Sequence, residues 1–136
     1  MKKLILSLLV AAFVGGNTLS AQTITKNEDG KYSLSVGHVT LTVDAQKGGK
    51  IVSYRYDDKE ILSQTKIPNS FGSTFWTSPQ SEWNWPPVPE YDTKPFNAEV
   101  AGDKLILTGE KSKRFGYRVR KELTTDKKDN AIVITY

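Results

Sequence analysis

The sequence contains no cysteine and a single histidine, His38. Without cysteine there can be no disulfide bond, cysteine nucleophile or thiolate metal site, so an apolar core must hold the fold together. Every histidine-based mechanism would depend on His38, because it is the sole imidazole. It begins a predicted strand, and no residue nearby suggests a carboxylate that would orient its ring. We therefore expect a surface histidine, and the sequence predicts no catalytic residue.

The chain also lacks a strong charge of either sign. Its 19 lysine and arginine residues stand against 15 aspartate and glutamate residues, and the basic ones are spread along the sequence. Such a balance gives no electrostatic footprint for nucleic acid. No dense Asp-x-Asp-x-Asp spacing typical of a calcium loop is present. We therefore predict no nucleic-acid partner, no metal and no cofactor.

A long apolar run occurs at the amino terminus. Lys2 and Lys3 precede apolar residues 4–14, and small and polar residues follow up to Ala21. This order is typical of a signal peptide, and the run is too short to span a bilayer stably. We predict that residues 1–21 are a signal peptide cleaved near Ala21, and that the mature chain is secreted or periplasmic with no membrane span.

The rest of the chain alternates short β-prone segments with turn signals. Residues 22–31 are polar and predict a loosely ordered lead-in. The remainder, residues 32–136, predicts an all-β antiparallel β-sandwich, because no amphipathic helix of ten or more residues can be found in it. The predicted strands are 32–36, 38–43, 51–56, 96–100, 104–108, 117–123 and 131–136.

The final predicted strand, residues 131–136, carries apolar or aromatic residues on both faces. A flat apolar strand without a partner favours aggregation. We therefore expect either an interior strand, or an incomplete amino-terminal part of a larger sandwich whose uncovered strands allow self-association.

Residues 71–92, which we call the aromatic segment, interrupt the strand pattern. They contain all three tryptophans and four of the six prolines, together with Glu82, Glu90 and Asp92. Long loops of this kind are often functional. Flat indole faces beside hydrogen-bonding groups suit a sugar ring, so the segment predicts binding of a mono- or oligosaccharide. The alternative is that the tryptophans anchor the core and the prolines stiffen a crossover between two sheets.

Individual residues of the predicted carbohydrate site differ in their expected roles. Trp83 and Trp85 are two residues apart, so in extended chain their rings would point the same way and form one stacking platform. Trp76 comes from a more strand-like stretch, and we expect it nearer the core. Arg120 could reach sugar hydroxyls from a sheet face that it shares with Arg118. The predicted carbohydrate-binding residues are Trp76, Glu82, Trp83, Trp85, Glu90, Asp92 and Arg120.

The same three carboxylates leave two other hypotheses open. Glu82, Glu90 and Asp92 could include an acid and base pair for glycoside hydrolysis, or they could hold a calcium ion. Their spacing in a proline-broken loop fixes no separation between the groups. Residues of this kind are more often solvated or bonded to the backbone of their own loop.

Two stretches resemble a known superfamily. Residues 39–62 resemble the opening hairpins of the galactose mutarotase-like (aldose 1-epimerase) β-sandwich, in which a Gly-Gly turn precedes an Ile-Val-Ser-x-x-Tyr strand and a Glu-Ile-Leu ending. The matching positions here are Gly48, Gly49, Ile51, Val52, Ser53, Tyr56, Glu60, Ile61 and Leu62. The aromatic segment, with its Trp76, Ser78-Pro79-Gln80, Trp83 and Trp85-Pro86-Pro87, looks like a DUF4380-type secreted bacterial domain within that superfamily.

The resemblance implies a large sandwich of which this chain matches only the front portion. In mutarotases a histidine acid and a glutamate base, both contributed later in the fold, open and reclose the sugar ring, and neither can be matched here. The resemblance therefore implies a secreted carbohydrate-binding sandwich without the catalytic half. The alternatives are the front part of a sugar epimerase or other carbohydrate-processing enzyme, and a structural envelope module with no sugar ligand.

Overall fold

A computed structural model describes residues 23–67 and 70–136, so the predicted signal peptide lies outside the described residues. The described chain folds as two antiparallel sheets, each with its strands in sequence order. The first sheet consists of β1 (Thr23–Lys26), β2 (Tyr32–Val36), β3 (Val39–Asp44), β4 (Lys50–Tyr56) and β5 (Lys59–Glu60). The second consists of β6 (Asn97–Ala101), β7 (Lys104–Thr108), β8 (Arg120–Asp126) and β9 (Ala131–Thr135).

The hairpins follow the alternation of the sequence. In β2 and β3 the apolar positions are buried, with Leu34 opposite Leu41. On the other face the hydroxyl oxygens of Ser33 and Thr42 lie 3.0 Å apart. A strand with one apolar and one hydroxyl-bearing face can cover a core while the other face meets water. These strands confirm the period-2 prediction.

The buried faces of the two sheets share one core. The first sheet contributes Leu34 and Val43, and the second contributes Leu105, Leu107 and Leu123. All five are almost completely buried. The prediction of an all-β, antiparallel, sandwich-like fold is therefore confirmed. The more specific mutarotase-like architecture stays a prediction.

The amino-terminal part of the predicted lead-in is a strand rather than loose chain. Residues 23–26 form β1 and pair in register with β2, with Ile24 opposite Leu34. Ile24 also packs against the core. The prediction of a loosely ordered segment was wrong there, because it weighed polarity above the short Thr-Ile-Thr alternation.

The strand predicted at 117–123 begins three residues later than expected. Residues between β7 and β8 form a loop closed by backbone hydrogen bonds, from Gly109 N to Val119 O and from Ser112 N to Tyr117 O. Gly116 adopts φ +76° at the tip of this loop, a conformation that suits glycine. Tyr117 therefore leaves the sheet, while Val119 stays buried beside it.

The last strand, β9, pairs with β8 along 131–135 and has no second partner within the described residues. Self-association through this strand stays a prediction. No helix in the described part of the chain is long and apolar enough to cross a membrane.

Candidate functional site

The aromatic segment contains a 3₁₀ helix at Gln80–Glu82 and a short helix α1 at Pro89–Asp92. The chain that follows is packed on the turn between β3 and β4, where Gly48 N donates to Lys94 O at 3.0 Å. A Cβ on Gly48 would lie 2.0 Å from Asp92 O, and its φ is +67°. Only glycine allows so close a backbone approach in that conformation. The turn thus fixes the backbone that carries Asp92.

Helix α1 directs its two carboxylates to different surfaces. Glu90 lines a small cavity of about 230 Å³ with Trp83 and Arg114, whereas Asp92 lines a larger one elsewhere. Side chains two positions apart on a helix do not face each other. Glu90 Oε1 accepts a hydrogen bond from Lys94 Nζ at 2.9 Å, which lowers the pKa of Glu90. The two carboxylates therefore do not form one acid and base pair.

The three indoles are arranged differently from the predicted platform. Trp83 is buried, at 5% exposure, and its Nε1 donates to Thr77 O at 2.9 Å. Trp85 is 66% exposed. The intervening Asn84 has φ +56°, so the chain turns between the two tryptophans and the extended-chain rule fails. The predicted pairing of Trp83 with Trp85 was wrong.

The indoles at the surface are Trp76 and Trp85, which we call the indole corner. Trp76 is 45% exposed, contrary to its expected core position. Its ring lies 5.8 Å from that of Trp85 at an interplanar angle of 86°, and 5.9 Å from that of Trp83 at 60°. Trp76 Nε1 donates to Asp92 Oδ1 at 3.1 Å. The buried Trp83 and Asp92 thus hold a two-sided aromatic surface in place.

Asp92 is also the centre of a buried charge cluster. Its Oδ1 lies 3.0 Å from Lys50 Nζ, and both side chains are almost fully buried. Lys121 Nζ, buried next to them, donates to Gly48 O at 2.8 Å and Gly49 O at 3.0 Å. Burial lowers the pKa of Lys121 to about 8, opposed by the charge of Asp92 and reinforced by that of Lys50. Two buried ammonium groups therefore lie near one buried carboxylate.

The cavity next to this cluster, which we call the lysine pocket, has a volume of about 510 Å³. That volume falls within the range of small-molecule sites. Its four lysines come from three separate parts of the sequence. The lining consists of Lys31, Lys47, Lys50, Lys66, Asp44, Asp92, Val52, Phe71 and Thr93.

The remaining predicted site residues, Glu82 and Arg120, make contacts to other parts of the chain. Glu82 is exposed, and its main-chain oxygen accepts a hydrogen bond from the Arg114 guanidinium. Arg120 Nη2 pairs with Glu122 Oε1 at 2.8 Å on the second sheet. None of the contacts made by Arg120 within the described chain reaches a tryptophan, so the structure does not bring Arg120 into this site.

His38 does have a carboxylate partner, contrary to the sequence reading. Its Nδ1 lies 2.6 Å from Asp57 Oδ1, and its ring is stacked on Tyr56. The pairing of β3 with β4 places Val39 opposite Tyr56 and so brings the two turns together. Both side chains are largely exposed, which agrees with the expected surface position.

The lysines of this cluster and pocket were not among the predicted site residues. Lys121 lies between Val119 and Leu123 on the inward face of the alternation, and that pattern could have revealed it. Lys47 and Lys66 carry no local signal, because only the fold brings them to one cavity. No cluster of metal-ligating side chains occurs among residues 23–67 and 70–136.

Comparisons with protein-family models, curated proteins and solved structures found no match for this chain.

Proposed function

We propose that this chain is a secreted carbohydrate-binding β-sandwich that uses the indole corner to bind a mono- or oligosaccharide. The observation that carries the proposal is the joint exposure of Trp76 and Trp85 on a rigid support. Large aromatic rings left in water tend to mark binding surfaces, and a sugar ring offers apolar C–H faces to stack on them.

The support of the corner favours binding through preorganisation. Trp76 is fixed by its hydrogen bond to Asp92 and by edge contact with the buried Trp83. A ring already held in place loses little conformational freedom when a ligand stacks on it. The perpendicular rings would contact one sugar face and one sugar edge together.

We propose binding rather than catalysis for the described chain. Asp92 is the carboxylate that touches the corner, and it is engaged by both Trp76 and Lys50. Glu90 lies at a different cavity. Kinship with aldose 1-epimerases and export through residues 1–21 belong to the same proposal, and they rest on the sequence patterns.

A structural role is the second candidate, because part of the segment belongs to the core. Trp83, Val88 and Tyr91 are all buried within the shared core cluster. Tyr91 OH also donates to Tyr117 O at 3.2 Å. A module whose tryptophans serve stability alone would keep these contacts and bind no sugar.

Titration of the chain 22–136 with mono- and oligosaccharides, followed by tryptophan fluorescence, tests the proposal. We expect a saturable change with at least one neutral or acidic sugar, and its loss in Trp85→Ala. Tyr54→Ala is the matched control, since Tyr54 is an exposed aromatic residue on β4. An unchanged signal with every sugar, in a chain that remains folded, would favour the structural role.

A further inference from the structure

The lysine pocket carries more positive than negative charge. Four lysines and two aspartates line it, and the buried Lys121 ammonium is bonded to Gly48 O and Gly49 O in the turn that contacts Asp92. Lys31 is paired with Asp29 and Lys50 with Asp92. Within the described residues, Lys47 and Lys66 make no ion pair. Their ammonium groups supply the excess charge, and both side chains are exposed at the cavity.

The pocket and the indole corner meet at one residue. Asp92 lines the pocket, and its Oδ1 accepts the hydrogen bond from Trp76 of the corner. The same oxygen pairs with Lys50, which lines the pocket too. Asp92 therefore joins the Trp76 indole to the cationic cavity.

The wall of the pocket is not uniformly charged. Phe71 and Val52 provide apolar surface, and Thr93 provides a hydroxyl group. Asp44 and Asp92 provide carboxylates, which accept hydrogen bonds from hydroxyl groups. Apolar surface, hydroxyl partners and surplus ammonium groups together match a sugar ring that bears an anionic group.

We propose that the saccharide bound by this chain is acidic, with a uronic acid residue in the lysine pocket and an adjoining ring on the indole corner. This inference rests on the proposed carbohydrate binding and adds the class of sugar. The uronate carboxylate pairs with Lys47 and Lys66, while its hydroxyl groups meet Asp44 and Thr93.

A carboxylated sugar fits the pocket better than a phosphate. The two aspartates repel a dianion more strongly than a monoanion. The apolar wall formed by Val52 and Phe71 has a partner only if the ligand also brings a ring.

Calorimetry with a uronic acid trisaccharide and its carboxyl-reduced neutral counterpart tests the inference. We expect the acidic sugar to bind at least about tenfold more tightly at low salt, and the margin to shrink as salt rises. The double variant Lys47→Gln, Lys66→Gln should remove most of the margin. The control double variant Lys127→Gln, Lys128→Gln removes the same charge from the exposed β8–β9 turn and should keep it.

The outcomes separate this inference from the proposed function. Equal affinity for the acidic and neutral sugars, both lost in Trp85→Ala, would overturn the acidic preference and leave carbohydrate binding intact. If binding of the acidic sugar depends on the lysines but is unchanged in Trp85→Ala, the lysine pocket is supported as a binding site and the indole corner is not. If inorganic phosphate bound as tightly as free uronate, the lysine pocket would be a general anion site, and the assignment of a uronic acid to it would be wrong. No binding of either trisaccharide would overturn both.

Discussion

The hairpins and the aromatic segment are stabilised by different kinds of contact. In β2 and β3 a continuous ladder and an alternating buried face spread the stabilisation over many residues. The aromatic segment depends on single contacts, including the Gly48 approach to its backbone, the Trp83 indole and the Lys50–Asp92 pair. The difference implies that a single substitution in the segment, or in the turn beneath it, costs more than a comparable one at a hairpin tip.

The largest expected effect is that of Gly48→Ala. Its Cβ would meet Asp92 O at 2.0 Å, so the backbone of the segment must move. We expect a loss of about 5 kcal/mol in the free energy of unfolding, or failure to fold, measured by urea denaturation. The matched control is Gly102→Ala at the β6–β7 hairpin tip, where φ is +61° and nothing lies within 4 Å of the new Cβ. Gly102→Ala should cost about 1 kcal/mol. If both variants lost the same free energy of unfolding, the proposed difference between the aromatic segment and the hairpins would be contradicted.

The next largest effect is a difference in stability between alanine variants of two tryptophans in the segment. Trp83→Ala empties a buried site and should lower the free energy of unfolding by about 3 kcal/mol. Trp85→Ala removes an exposed ring and should change stability by less than about 0.5 kcal/mol. Thermal and chemical denaturation of both variants would measure this. A strongly destabilised Trp85→Ala variant would mean that the corner is structural.

Asp92→Asn should have an intermediate effect. The amide keeps an acceptor for Trp76, but it leaves the Lys50 ammonium buried without its counter-ion. We expect a loss of about 2 kcal/mol in the free energy of unfolding. Asp58→Asn removes a fully exposed partner of Arg55 and should leave stability unchanged within error. If the Asp92→Asn variant were as stable as the unmodified chain, the buried pair would contribute little to stability.

The smallest effect is the pH dependence from Lys121. Its pKa is about 8 in the folded chain, below the ordinary value of 10.5. Between these values the unfolded state binds the extra proton, so stability rises as pH increases through this window. The gain from pH 7 to pH 9 should be about 1 kcal/mol relative to Lys121→Met, measured by urea denaturation at each pH. If the difference in free energy of unfolding between the unmodified chain and Lys121→Met stayed constant or fell with pH, the lowered pKa would be contradicted.

The hairpins could be predicted because their information is local. Strands β2 and β7 occupy the predicted residues 32–36 and 104–108, and the ends of β3, β4, β6 and β9 lie within one residue of the predicted ones. Alternation failed at Tyr117, where a loop closed by two backbone hydrogen bonds replaced the start of the strand. The pairing of the residues that those two bonds join cannot be predicted from the alternation of apolar and polar residues.

The site was harder to predict, because its geometry depends on single dihedral angles and distant contacts. The positive φ of Asn84 separates Trp83 from Trp85 and could not be read from their spacing. The Lys121 hydrogen bonds to Gly48 and Gly49 join residues more than 70 positions apart. The sequence places all three tryptophans in the aromatic segment, but only the fold selects which rings reach the surface.

The most direct test of the account is the nuclear magnetic resonance signal of the indole N–H groups during titration with an acidic oligosaccharide. The chain has three tryptophans, so three signals are expected, assignable with single Trp→Phe variants. We predict that the signals of Trp76 and Trp85 shift with saturation while that of the buried Trp83 stays in place. Three unmoved signals, or a shift confined to Trp83, would contradict the assignment of the indole corner as the binding surface.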